Sequence, residues 1–287
     1  MTGDDPGRLD WREPLDAAAR SPALAARLSA SLPARPRLLD LGAGTGSLFR
    51  WLAPRIGRAQ AWLLADDDDA LVAEAFERTH VWARRRGWTV TSPGRAMLVH
   101  TPFGAWRLEG FGIDLAAAPA GLPLDRIDAV LCSGLLEHVS RAWLDGMLRR
   151  LRVPLLACVL PNGRYEWLPR HPADRLIAAA MRRPLPPDAE FGMSLGANAT
   201  ALVQRALGAA GFDVHTAPSD WRIGRGELAV MRALVQLAAE RAHDVFPARR
   251  RMIADWTAVR LHQTLAARLA VRVGHRDILA VPRQPGS

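Results

Sequence analysis

The apolar positions of this chain form short runs separated by stretches with helical spacing. Leu38-Leu39-Asp40-Leu41 is too short for a helix and runs straight into glycine, which reads as a strand ending in a turn. In the next segment Leu48, Trp51 and Leu52 share one helical face, which predicts a helix over 47–56. The same alternation predicts strands 60–65 and 127–132, helices 69–86 and 141–151, a β-rich stretch 96–114 and a strand 154–160. Strands that alternate with helices in this way build a parallel sheet covered on both faces. Asn162-Gly163 between apolar runs favours a two-residue turn, so 154–160 and 164–168 read as a hairpin. A helix over 173–182 follows within an irregular stretch, then helix 198–210 and strand 212–217. Residues 225–267 keep helical spacing before a last strand at 278–282, and read as a helical insertion. At the other end, residues 1–9 read as disordered and 11–32 as an alanine-rich helical segment. The expectation is one domain: a helical segment 1–35, a core 36–160, a second half 161–224, the insertion 225–267, and a closing strand and tail 268–287.

The turn after the first strand carries the most chemistry. Asp40, Gly42, Gly44 and Gly46 stand at alternate positions between an apolar strand and a predicted helix. Glycine lets such a loop turn tightly and brings a ligand close to the backbone. The free N–H groups of a following helix favour a polar or anionic ligand. A dinucleotide fingerprint needs a glycine where Ser47 stands, so the loop fits NAD poorly. The second strand, ending at Ala65, runs into Asp66, Asp67, Asp68 and Asp69. An acid about 20 residues after a glycine loop is placed to accept from ribose hydroxyls, and Asp66 is first past the strand. Asp69 reads as an acid opening the next helix.

The spacing Asp40, Gly42, Gly44, Gly46 resembles motif I of the class I S-adenosylmethionine-dependent methyltransferases, of a bacterial small-molecule type. The resemblance covers residues 36–160 well and the rest weakly. It implies a Rossmann-like, doubly wound, mostly parallel seven-stranded α/β sheet and a cytoplasmic enzyme. It implies S-adenosylmethionine as cofactor, leaving as S-adenosylhomocysteine, and a methyl group passed to an acceptor by in-line displacement. Asp40, Gly42, Ala43, Gly44 and Gly46 then hold the aminoacyl part, Asp66 the ribose hydroxyls, and Asp114 and Leu115, with Asp67 added, the adenine end. Ser133 opens the loop after the fourth strand, beside the sulfonium. Arg12 is a further candidate for the cofactor carboxylate.

On the acceptor side, Glu137, His138 and His171 follow predicted strands and are candidate bases. Tyr165, Phe191, Met193, Trp221 and Arg222 lie in segments expected to border the acceptor, as an aromatic slot with one cationic anchor for a flat or carboxylated molecule. An N-P-P-Y sequence is absent, which lowers the case for methylating base amines of nucleic acids.

Charge changes this picture little. The formal net charge is +9, but all 38 basic residues are arginine and they are scattered. Their densest runs, Arg84 to Arg86 and Arg249 to Arg251, adjoin predicted helix ends, where cations suit the dipole. RNA is therefore the lesser partner, with a small molecule preferred, and a catalytically silent partner subunit is the third alternative. Apolar runs fall short of a membrane span, and the acidic, polar start argues against a secretory signal. Cys132 and Cys158 fall in predicted strands as small buried residues, and no His/Cys cluster has metal-ligand spacing. The expected assembly is a monomer or homodimer.

Overall fold

The computed structural model describes residues 6–117, 119–184 and 192–283. At its centre β1 (Arg37–Leu41), β2 (Gln60–Asp66), β5 (Gly104–Gly112), β6 (Ala129–Ser133) and β7 (Leu155–Leu168) run parallel in the order β5-β2-β1-β6-β7. A long antiparallel strand, β10 (Ala270–Pro282), lies beside β7, and β8 (Phe212–Pro218) pairs with its outer edge. These are the seven strands the resemblance implied. Three more enlarge the sheet to ten: β3 (Thr89–Thr91) and β4 (Ala96–Thr101) extend it beyond β5, and β9 (Trp221–Ile223) pairs with β10. The β-rich stretch 96–114 thus resolves into a hairpin, β4 with β5.

β1 explains why both faces carry helices. Leu38 and Leu39, successive residues, point to opposite faces and belong to two separate apolar cores. Helices α2 (Pro22–Ser31), α3 (Ser47–Ile56) and α4 (Asp69–Arg85) cover the Leu38 face through Leu28, Phe49 and Ala75. α5 (Arg141–Arg150) and α7 (Ala199–Ala209) cover the Leu39 face through Leu144 and Val203. The helical segment 11–32 is broken in two: α1 (Pro6–Ala19) starts inside the stretch read as disordered, and Ser21 caps α2 by accepting from Leu24 N–H.

The expected hairpin at Asn162-Gly163 does not form. β7 continues through it to Leu168, paired with β10 along its length. Gly163 keeps the left-handed conformation a turn would use (φ 75°), but opposite a register shift in β10 at Val273/His275. A partner strand supplied the backbone bonds that a turn would have left to the hairpin itself, so the dipeptide became an irregularity within a strand. The long β7–β10 ribbon is backed by α6 (Asp174–Arg182), α8 (Leu228–Val245) and α9 (Arg250–Leu265). Arg260 is buried between Trp167 and Trp256, donating to Pro169 O (2.7 Å) and Asp174 Oδ1 (2.5 Å). Among the described residues no helix is long and apolar enough to cross a membrane.

Candidate functional site

The site lies at the carboxyl ends of β1, β2 and β6, where the chain order reverses about β1. β1 ends in a loop in which Gly42, Gly44 and Gly46 all take positive φ (63°, 50° and 78°). A Cβ on Gly42 would come within 3.3 Å of Leu135, so the loop is pressed against the segment after β6. The loop amides are spent internally. Gly42 and Ala43 N–H donate to Ala65 O, Gly46 N–H to Ala43 O, and Gly44 N–H to Asp66 Oδ2 at 2.7 Å. What the loop offers a ligand is close approach, with two acids beneath it.

Asp40 is the more unusual of these acids. It is 1% exposed, and neither carboxyl oxygen has a hydrogen-bond partner. Burial raises its pKa from 3.8 to about 8; Arg20 pulls it down and Asp66 pushes it up. Asp66 is buried too, and burial raises its pKa to about 6 against the N–H groups of Gly44 and Asp68 that it accepts. Asp67 is exposed, and Asp68 rather than Asp69 caps α4, accepting from Ala70 N–H. Asp114 is exposed beyond β5, its Oδ1 accepting from Ala116 and Ala117 N–H, while Leu115 beside it is fully buried.

α1 closes over this edge with a row of charged residues. Arg20, fully buried, donates to Ser47 Oγ (3.0 Å), Ser47 O (3.2 Å) and Ser133 Oγ (2.9 Å), and lies 3.8 Å from Asp16. Asp16 in turn accepts from Trp221 Nε1 at 2.8 Å. Glu13 holds Arg50 through two bonds (2.9 and 2.6 Å), and Arg50 donates to Thr45 O within the glycine loop. A buried guanidinium is costly unless its donors are met, so these bonds fix α1 to the loop and to the tip of β6. Arg20 was missed in the sequence. The available signal was Arg12, Asp16 and Arg20 at four-residue spacing on one face of an alanine-rich helix.

The acceptor-side candidates divide. Glu137 is in the loop after β6; its Oε2 is buried without a partner. His138 is half-buried in the same loop, its N–H donating to Leu135 O. Tyr165 on β7, Val273 on β10 and Trp221 on β9 are directly paired in register, which puts Tyr165 and Trp221 on one face. Tyr165 is half-buried, and burial pushes its phenol up to about 12, with Glu137 raising it and Arg12 lowering it. Arg12 lies over the Trp221 ring, 5.5 Å from its centroid. His275, missed in the sequence, packs on Trp221 at 4.7 Å and is held neutral by burial, its pKa lowered to about 3.

Three expected residues lie apart from this group or face outward. His171 follows the far end of β7, ten residues past Cys158, so roughly 30 Å of strand separates it from the tip of the parallel sheet. There its Nδ1 accepts from Ala173 N–H and its own N–H donates to Asp174 Oδ2, in the turn that leads into α6. Arg222 is exposed because the strand alternation that buries Trp221 and Ile223 turns it outward. Met193 is 66% exposed, although its segment is stitched to the loop after β6 by Leu195 N–H to Val139 O and Gly196 N–H to Glu137 O. Phe191 lies outside the described residues.

No protein-family model matches the chain. A 63-residue segment is 44% identical to the biotin biosynthesis bifunctional protein BioCD of Bordetella avium, spanning 22% of this chain and 13% of that protein. A solved S-adenosylmethionine-dependent methyltransferase from Thiobacillus denitrificans, bound to S-adenosylhomocysteine, has a TM-score of 0.46 at 14% identity, with 99% of this chain and all of that one covered. One from Geobacter sulfurreducens, with the same ligand, has a TM-score of 0.44 at 14% identity, with 95% and 98% covered. What the chain's own strand order and the helices on both faces of its sheet establish is the Rossmann-like α/β fold that the motif resemblance implied.

Proposed function

We propose that this chain is a methyltransferase that draws on S-adenosylmethionine and acts on a small-molecule acceptor. The observation that carries the reading is Asp40: a fully buried carboxyl with no partner, beneath a loop of three left-handed glycines and beside the buried Arg20. A buried acid without a partner is an uncompensated cost in the ligand-free fold. A cationic ligand group relieves it. Asp40, ionised once an ammonium group stands beside it, and Arg20 would supply the opposite charges that an aminoacyl group requires, so the residues fit the cofactor.

Asp66 is the acceptor for the ribose hydroxyls, and Asp114 with Leu115 flanks the adenine. Bound there, the cofactor supplies an electrophilic methyl group on a sulfonium that is already a good leaving group. The protein's own contribution is then positioning and exclusion of water. Of the candidate bases, Glu137 is the best placed, because its unpartnered oxygen is on the loop after β6. The RNA alternative loses ground because Arg20, Arg50 and Arg260 are spent inside the fold.

Calorimetry with S-adenosylmethionine and S-adenosylhomocysteine tests the reading. Micromolar binding is expected, lost in Asp66→Ala and Gly44→Val. Absence of heat with both ligands, or binding unchanged in both variants, overturns it.

A further inference from the structure

Next to the proposed cofactor site, polar atoms without partners gather around Gly134 and Trp221. Arg12 Nε, Glu137 Oε2 and His275 Nδ1 are all buried and unbonded. A Cβ placed on Gly134 would stand 3.0 Å from Arg12 Nη2 and 3.8 Å from Glu137 Oε1. The guanidinium and the carboxylate therefore flank one glycine, and no ion pair joins them among the described residues. Each buried polar group left unbonded costs about 1–3 kcal/mol. Three such costs close together call for a partner, and a bound ligand would supply one.

The chemistry of the cluster defines what would satisfy it. Arg12 only donates and carries a fixed positive charge, so it needs an anionic oxygen, best a planar carboxylate. Glu137 needs an N–H or O–H donor when ionised. His275 is held neutral by burial, and because its ring already donates to the backbone of Val273, its unbonded nitrogen can only accept. Trp221, with Trp11 against its edge at 5.8 Å, adds an aromatic wall. The charges acting on Asp40 are Arg20 and Asp66, whereas Arg12 acts on Tyr165 and His275.

We propose that the acceptor is a small hydroxy- or amino-carboxylate with an apolar body. Arg12 binds its carboxylate over Trp221, and Glu137 accepts from its hydroxyl or amino group. Arg12 thus fills the role of cationic anchor that the sequence placed at Arg222. The inference rests on the methyltransferase reading for the word acceptor; the carboxylate site itself does not need it.

The test is titration of the full chain, saturated with S-adenosylhomocysteine, with 2-hydroxybenzoate, 2-aminobenzoate, benzoate and the neutral 2-hydroxybenzamide. Tryptophan fluorescence and calorimetry report binding. The two substituted carboxylates are expected to bind at least about tenfold tighter than the amide, the step a charge-assisted pair provides. Arg12→Gln is expected to abolish that preference, Arg12→Lys to restore part of it, and S-adenosylhomocysteine affinity to stay unchanged in both. Glu137→Gln is expected to weaken 2-hydroxybenzoate and leave benzoate as it was. Equal affinity for acid and amide, or no binding by any carboxylate, overturns the proposal. So does a matching loss of S-adenosylhomocysteine affinity in Arg12→Gln, which would assign Arg12 to the cofactor carboxylate. If S-adenosylhomocysteine itself does not bind, the methyltransferase reading fails, and the same titrations on the ligand-free chain decide the carboxylate site by the same criterion.

Discussion

Replacing Asp40 with asparagine separates the physical claim about this site from any assumption about its ligand. Burial raises the carboxyl from 3.8 to about 8. Between those values the unfolded chain is ionised at this position and the folded chain is protonated. The folded state therefore binds the extra proton, and stability falls as pH rises through that window. One pKa unit corresponds to about 1.4 kcal/mol, so between pH 5 and 7 the wild type should lose roughly 2–3 kcal/mol through this residue. Asparagine has the same shape and does not titrate. Its amide N–H groups carry their own unmet bonds, a cost of about 1–3 kcal/mol that does not change with pH. The informative quantity is thus the change in the wild-type-to-variant difference with pH, not its value at one pH. Urea unfolding of both ligand-free proteins at pH 5, 6 and 7, followed by tryptophan fluorescence, measures it. The variant should gain on the wild type at each step, by roughly 1 kcal/mol per pH unit. Other titrating groups are shared and cancel in the comparison. A difference that stays flat from pH 5 to 7 refutes the buried, unpartnered acid, and with it the main support for a cation-binding cradle.

Other outcomes follow from neighbouring groups. Asp66 has a pKa raised to about 6 and is the proposed ribose acceptor in its ionised form, so S-adenosylhomocysteine affinity should weaken as pH falls below about 6; calorimetry across pH 5 to 8 reads this, and a flat profile counts against the role. Arg260→Met leaves Asp174 and Pro169 O without their buried cation and should destabilise by about 3–5 kcal/mol, read as a lower urea midpoint with cofactor affinity preserved. Glu13→Gln removes the charge from the paired contact that ties α1 to Arg50, and amide hydrogen exchange over residues 11–19 should speed up.

The elements of the core were written locally. The helix over 47–56 and the strand 37–41 have in the structure the bounds the pattern predicts, because three-residue and two-residue periodicities and the glycines between them act over a few positions. The glycine loop and Asp66 were legible for the same reason: both are defined by distance along the chain. What the sequence could not decide depended on partners far away in it. Asn162-Gly163 is a turn signal, yet β10, over a hundred residues later, pairs across it and keeps the strand going. Tyr165 and His171 are six positions apart, but only the path of β7 shows that Tyr165 pairs beside Val273 while His171 lies past the strand, in the turn before α6. Arg222 faces outward and Trp221 inward because a strand's two faces alternate, and which face looks inward is fixed by packing; the proposed anchor is Arg12 instead. α1 and the residue that follows it supply Arg12, Asp16 and Arg20 from the opposite end of the chain, and buried charges of this kind take their partners from the assembled fold. Periodicity sets what each segment becomes, whereas burial and long-range pairing set which of its residues face a ligand.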